Sequence, residues 1–525
     1  MSTPERKRGR WLRITLGVAG GAFLALVAAA AFLAVRFQPL ARDYFISTLQ
    51  KRYRSDVEMG ELKISLFPTV HATGDNLVLW FNGSHEVPPM VRIRRFTLDA
   101  SLISFFRTPR HIGRLTLEGL QIHLPPRHDP SAAGTPSGTA QPAHSPAAAA
   151  TFILDEVIAD GTTVEIKPKD PAKDPLIFDV QKLSLKTVGA GLPMSFQAEL
   201  TNPKPPGLIH CEGKFGPWDS SRPVDTPISG QYTFRNADLS VFKGIGGILS
   251  SDGNFTGRLD RMEVAGTADV PDFELHLADH PVPLHTDFQA TVDGTNGNTV
   301  LHPVRARLGK SEFEVTGAVD RGALETRKTI LLEAKEASGR LEDFLRLTVK
   351  GPTQPMTGGI RFDAKVKVPP GDVPVIDRLQ LDGKFGLSRV KFTDAGVQGK
   401  IAGLSHRAQG DPKDHDPNVT ADFQGEFHLM AGKLSLPDLQ FTLPGANVGM
   451  QGSYVLRSGA LDFRGTAKLD ATVSQMTTGF KSKLLKLADP FFRRDGAGTV
   501  VPIVVSGTRG DPSFRLDMGR VLKRN

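Results

Sequence analysis

From Val57 onward, the apolar residues of this chain recur mainly at every second position. Ile360-Arg-Phe-Asp-Ala-Lys-Val-Lys-Val368 alternates strictly over nine residues. Leu120, Ile122 and Leu124 alternate with Gln121 and His123, and Phe273, Leu275 and Leu277 alternate with Glu274 and His276. Successive side chains of a strand take opposite faces, so each segment predicts a strand with one apolar and one wet face. Parallel strands buried on both faces would read as continuous apolar runs, so this pattern predicts antiparallel, one-sided sheets. Turn pairs at Asp252-Gly253, Asp293-Gly294, Asp382-Gly383 and Ser458-Gly459 predict tight connections, because glycine supplies positive φ at no steric cost. Gly213-Lys-Phe, Gly253-Asn-Phe, Gly383-Lys-Phe and Gly425-Glu-Phe repeat a Gly-x-Phe fragment that is expected to open strands. No fixed period accompanies it, so a propeller or leucine-rich array is not indicated.

Four segments break the period of two. Ile14 to Val35 is 22 residues without a charge, about 33 Å as a helix and enough to cross a hydrocarbon core of roughly 30 Å. Arg6, Lys7, Arg8, Arg10 and Arg13 precede it, which places the N-terminus in the cytoplasm and the rest of the chain outside. A cleaved signal peptide is the alternative. Its apolar core usually runs ~7–15 residues, shorter than this one, although Ala29-Ala30-Ala31 offers a cleavage site. Gly17 and Gly21 have the spacing that brings two membrane helices together as a weak dimer. Residues 39–53 carry Leu40, Tyr44, Phe45 and Leu49 at helical spacing and predict a short amphipathic helix that caps the β body or lies at the membrane surface. Residues 125–150 are almost entirely Pro, Ala, Ser, Gly and Thr, a composition that cannot bury enough apolar surface to order itself. Residues 480–492 place Phe480, Leu484, Leu487 and Phe491 on one stripe beside Lys481, Lys483 and Lys486. They predict a basic helix that covers a sheet edge or, as the alternative, lies on a membrane, ended or kinked by Pro490.

Composition changes the picture in two ways. There are 31 Phe against 4 Tyr and 3 Trp, so most rings carry no polar handle and suit dry surfaces. The net charge of +8 is concentrated at the two ends, with Arg520, Lys523 and Arg524 at the C-terminus. The nearly balanced body lacks the basic face that nucleic-acid binding requires. Cys211 is the single cysteine, so no intrachain disulfide holds the body; it reads as a small, at least half-buried residue.

No catalytic constellation emerges, and no cofactor is indicated. Gly309-Lys310-Ser311 resembles the end of a phosphate-binding loop, but Val304 stands where that loop needs its first glycine. There is no metalloprotease His pair and no nucleophile elbow. His276, His280 and His285 lie across an alternating strand and a Pro281/Pro283 turn, without the spacing of metal ligands. Glu342 and Asp343 are adjacent carboxylates with no pocket to give them a task.

Two blocks resemble a known family. In the first, the apolar and short helices lead into Val57-Glu-Met-Gly-Glu-Leu-Lys-Ile-Ser-Leu-Phe-Pro68, a strand over 72–79, and then Phe96 to Leu124 with Leu98-Asp-Ala-Ser-Leu-Ile-Ser-Phe-Phe106. In the second, paired strands over 425–454 precede the basic helix, Gly498-Thr-Val-Val-Pro-Ile-Val-Val-Ser-Gly-Thr508, Asp511-Pro512 and Phe514-Arg-Leu-Asp517. The succession is similar to the N- and C-terminal modules of the AsmA family, inner-membrane proteins related to TamB and to repeating β-groove lipid carriers. The blocks cover about half the chain.

The resulting expectation is mainly β: one N-terminal transmembrane helix, then a long antiparallel, curled (taco-like) sheet with few short helices. The divisions are a basic tail (1–13), the membrane helix (14–35), an AsmA-like α+β module (36–124), the linker (125–150), a middle β region (151–370) and a C-terminal AsmA-like module (371–525). The resemblance implies transport or homeostasis of envelope phospholipids, with the alternative of a non-enzymatic factor for outer-membrane protein or lipopolysaccharide assembly. Partners would be phospholipids or other acyl-chain lipids, the inner membrane and outer-membrane assembly proteins. The candidate lipid-facing positions are Leu120, Ile122, Leu124, Phe273, Leu275, Leu277, Ile360, Phe362, Val366 and Val368. Alternation alone fits both an open groove and a sandwich filled by its own side chains; the Phe-rich, Tyr-poor composition favours the groove.

Overall fold

The computed structural model describes residues 56–65, 69–80, 91–101, 110–124, 152–166, 176–189, 191–217, 225–276, 280–294, 297–320, 328–351, 353–476 and 498–516, with a few single positions besides. They are mainly β, as the period of two requires, and divide into two compact units. One comprises residues 1–203 with 209–228, the other 204–208 with 229–525.

The first unit contains β1 (Asp56–Glu58), β2 (Leu62–Ser65), β3 (Val70–Trp80), β4 (Val91–Ala100), β5 (Arg110–Leu124), β6 (Phe152–Ile166), β7 (Leu176–Gly189) and β8 (Met194–Pro203). β1 and β2 both pair antiparallel with β3, which continues antiparallel through β4 to β5. β5 and β6 then pair in parallel, the exception to the antiparallel expectation. A parallel partner requires the chain to travel back the length of a strand, which takes about a dozen residues or more; residues 125–151 supply that length. β6, β7 and β8 resume antiparallel pairing. The apolar side is closed: Val57, Leu77, Leu79, Ile93, Phe96 and Leu120 form a buried cluster. Positions 42, 43, 46, 47 and 50 of the expected amphipathic helix are helical. Ile46 packs against that cluster, and Arg42 Nε donates to the Gly60 carbonyl at 2.9 Å. This segment caps the sheet.

β9 (Pro206–Phe215) follows, and the second unit runs through β10 (Pro227–Asp238), β11 (Ile245–Gly246), β12 (Ile248–Arg258), β13 (Arg261–Leu275), β14 (Val282–Val292), β15 (Thr299–Leu308), β16 (Ser311–Asp320) and β17 (Thr329–Arg340). After helix α1 (Leu341–Thr348) come β18 (Met356–Val368), β19 (Gln380–Phe392) and helix α2 (Ala395–Ala408). The chain closes with β20 (Ala421–Met430), β21 (Lys433–Leu443), β22 (Ala446–Val455), β23 (Ala460–Leu469), β24 (Thr499–Thr508) and β25 (Asp511–Leu516). From β12 to β25 every strand pairs antiparallel with the next.

Several expectations need correction. The sheet is not strongly curled. The apolar surface that a taco-like curl would shelter is instead sheltered in places by α1 and α2 laid against it. Neither helix was expected. α2 hides behind Gly396, Gly399 and Gly403, yet Asp394 caps it by accepting from the Val397 N–H at 2.8 Å. Asp252-Gly253 and Asp382-Gly383 are not turns but lie inside β12 and β19. The four Gly-x-Phe fragments likewise sit within β9, β12, β19 and β20 instead of opening them. At Gly383 and Gly253 the missing side chain admits a neighbour: a Cβ would lie 2.8 Å from Phe427 Cζ in one case and from Tyr232 Cε1 in the other. Asp293-Gly294 and Ser458-Gly459 do fall at strand connections.

Among the described residues no helix is long and apolar enough to cross a membrane. Residues 14–35, with Ile14, Val35, Gly17 and Gly21, lie outside the described residues, as do 125–150 and 480–492.

Candidate functional site

The site is a surface. Residues directly opposite one another in an antiparallel ladder share a face, so the register assigns every side chain. On β18, Ile360, Phe362, Ala364, Val366 and Val368 form one face, while Arg361, Asp363, Lys365 and Lys367 form the other. Across the ladder, the first face is mainly apolar, with Glu336 the charged exception opposite Phe362. One row runs from Phe255 on β12 through Val264, Leu301, Leu332, Val366, Leu381 and Leu434 to Leu461 on β23. A second runs from Phe362 through Phe385, Leu439 and Met450 to Ile503 on β24. These side chains are half-buried, not buried. In a sealed sandwich the middle of an apolar face is its driest part; here it keeps contact with solvent.

The dry parts lie under the helices. α1 sets Leu347 on Val282 and Leu308, with Phe273, Leu275, Leu284 and Phe313 packed around them. Ala408, at the end of α2, closes over Ala421, Leu443, Ala446 and Leu469. Between them the face carries phenyl rings: Phe344 meets Phe362 edge-on at 5.3 Å, and Phe423 stacks on Phe441 at 4.6 Å. None of these rings brings a hydrogen-bonding group into the surface.

The opposite face is a ladder of charge. Lys384 pairs with Glu426 at 3.1 Å, Lys335 with Asp363 at 3.5 Å, and His428 with Asp382 at 2.6 Å. Exposed pairs of this kind each add ~0–1 kcal/mol; their larger effect is to fix which face meets water, because a one-residue slip would exchange every side chain between faces. A depression of about 550 Å³ is lined by Arg361, Lys384, Gln424 and Glu426 together with Glu336, Phe362 and Phe385.

The expected positions divide into groups. Ile360, Phe362 and Val366 lie half-buried on the apolar face, with Phe362 against Phe344 of α1, and Val368 shares that face but is buried at 7% exposure. Phe273 and Leu275 are on the same unit, gathered under α1. Leu120, 8% exposed, belongs to the closed core of the first unit, with Ile122 packed against it. Both fill a core there and do not line an open surface. The Leu124 side chain and Leu277 lie outside the described residues. Phe385, Phe423, Phe427, Leu439, Met450 and Ile503 were not anticipated, although Leu381-Asp-Gly-Lys-Phe-Gly-Leu387 alternates as clearly as β18 does.

The partial motifs of the sequence have structural tasks. Lys310 N–H and Ser311 Oγ–H donate to Asp343 Oδ2 at 3.0 and 2.9 Å. The turn that resembles a phosphate loop therefore holds the chain's own carboxylate. Glu342 accepts from the Arg340 guanidinium and the Gly358 N–H. Burial works to raise its carboxyl, but the hydrogen bonds from its own backbone, Arg340 and Gly358 outweigh that and hold it below the usual glutamate range. His285 pairs with Asp269 at 2.6 Å, and His280 reaches the Gly351 carbonyl at 2.6 Å. Among the described residues no group of three metal-binding side chains converges. Cys211 is half-buried, and desolvation pushes its thiol up, away from the reactive thiolate.

No family model, curated protein or solved structure matches the chain.

Proposed function

We propose that the chain is an inner-membrane-anchored periplasmic protein of the AsmA type that handles or conducts phospholipids along its open apolar sheet face. The observation that carries this reading is the half-exposed apolar surface that continues strand after strand from β12 to β24. An acyl chain laid on such a face leaves water at about 25 cal/mol per Å² of apolar surface covered, without needing a hydrogen-bond partner. The charged opposite face keeps the sheet soluble while the apolar one is occupied. The uncharged run from Ile14 to Val35 supports anchoring.

A second reading, support of outer-membrane assembly through protein contacts, draws on Val300, Ala318 and Leu331. These three stand side by side on the otherwise polar face, with Val300 and Leu331 half exposed. Photo-crosslinking residues at Ile360, Phe362 and Phe385 test the first reading. Phospholipid should be captured at those positions and not at Lys365 on the opposite face. Capture of protein at Leu331, with no lipid at Phe362, would favour the second.

A further inference from the structure

Helix α1 interrupts the open face, held there by packing and by a polar contact at its N-terminal end. Its apolar contacts are made by side chains alone: Phe344 lies 6.0 Å from Phe313 and 5.3 Å from Phe362, and Leu347 covers Val282 and Leu308. Its polar hold is at the N-terminal end. Asp343, 7% exposed, is gripped by Lys310 N–H and Ser311 Oγ–H, and the same Ser311 oxygen accepts from the Arg340 N–H at 2.8 Å. Gly309 makes the turn at φ 59°, and a Cβ there would come within 2.7 Å of Asp343 Oδ1. A helix of eight residues does not persist in water by itself, so α1 exists because it is latched and packed.

Beneath and beside it lies more of the same face. Phe313 is two residues from Val315, which shares a row with Ala334 and Ala364. Glu336 stands directly opposite Phe362 at a bulge between β17 and β18, on the apolar side of the ladder. It is 7% exposed; one carboxylate oxygen accepts from the Ser338 N–H at 2.7 Å, and the other has no partner. An unpartnered buried acceptor costs on the order of 1–3 kcal/mol unless something donates to it.

We infer that α1 is a latched lid over an acyl-chain subsite. In this subsite, Phe313, Leu308 and Phe273 receive the chain, and Glu336 accepts from a hydroxyl or ammonium near the lipid headgroup. This rests on the lipid reading above and adds to it a covered position and a headgroup preference. Lifting α1 joins the two stretches of open face on either side of it. Asp343 is the latch, and Gly309-Lys310-Ser311 is its keeper.

The test uses the full-length chain with vesicles of phosphatidylethanolamine or of phosphatidylcholine, whose headgroup nitrogen has no proton to donate. A photo-crosslinking residue is placed at Phe313 or Phe385, in the native chain and in Asp343→Asn and Gly309→Val. With the latch weakened, amides of 341–348 should exchange about tenfold faster or more, while those of β18 stay protected. Capture at Phe313 should rise about tenfold toward the level at Phe385. It should favour phosphatidylethanolamine severalfold, and Glu336→Leu should remove that preference. If α1 loosens and Phe385 captures lipid but Phe313 does not, the subsite is overturned and the open-face reading stands. Native exchange rates in both latch variants would overturn the latch. Equal capture of the two lipids at Phe313 would overturn the role of Glu336. No capture at either position would overturn the lipid reading and the subsite with it.

Discussion

Replacing Phe96 by alanine is expected to destabilise the first unit by about 3–5 kcal/mol, whereas Phe362→Ala should cost the second unit only about 1–2 kcal/mol. Both are phenyl rings on the apolar side of a strand. Phe96 is 7% exposed in a closed cluster and lies so close over Gly74 that a Cβ there would meet its ring at 2.3 Å. Its removal leaves a cavity that the surrounding side chains of Leu77, Ile93 and Leu120 cannot fill. Phe362 is half-buried and solvent reaches it already, so its loss creates no sealed void. Hydrogen exchange resolved by strand, read in β4 for one variant and β18 for the other, measures both. Equal losses would mean that the second unit's face is sealed after all.

Gly383→Val is expected to cost the second unit about 3 kcal/mol or more. A Cβ at this position would stand 2.4 Å from the Asp363 carbonyl oxygen and 2.8 Å from Phe427 Cζ. The ring can swing away; the backbone carbonyl, held in the β18–β19 ladder, cannot. The strand would have to part from its neighbour in the middle of the sheet. Denaturant unfolding of the variant should show the loss, and Gly383→Val combined with Phe427→Ala should recover only a minor part of it. Full recovery would show that the ring alone, and not the ladder, forbids a side chain there.

Gly383 also shows where the sequence misleads. Asp-Gly is a hairpin signal because it tolerates positive φ, but glycine is equally demanded where a ring crosses a strand. Local composition does not distinguish the two. The alternation around Ile360–Val368 was legible because the period of a strand is short and its two faces differ in solvation along every residue. Helix α1 was not: Leu341, Phe344 and Leu347 are too few to establish a period, and their partners lie on other strands, Val282, Leu308 and Phe313 on β14, β15 and β16 and Phe362 on β18. The parallel pairing of β5 with β6 was hidden for a similar reason, since it depends on a return path and not on either strand's pattern. Of the expected positions, Ile360, Phe362 and Val366 share the apolar side of β18, while Leu120 shows the same alternation and fills a core. Period two tells which face is apolar; what covers that face is decided elsewhere in the chain.

The central claim is that the apolar face of the second unit is open to lipid. Native mass spectrometry of the full-length chain, extracted in mild detergent, addresses it directly. The chain should carry phospholipid-sized adducts, and Phe362→Asp with Phe385→Asp should remove them while leaving the amides of β19 and β20 protected. A chain that leaves the detergent bare, or whose adducts survive both charges on that face, would contradict the account.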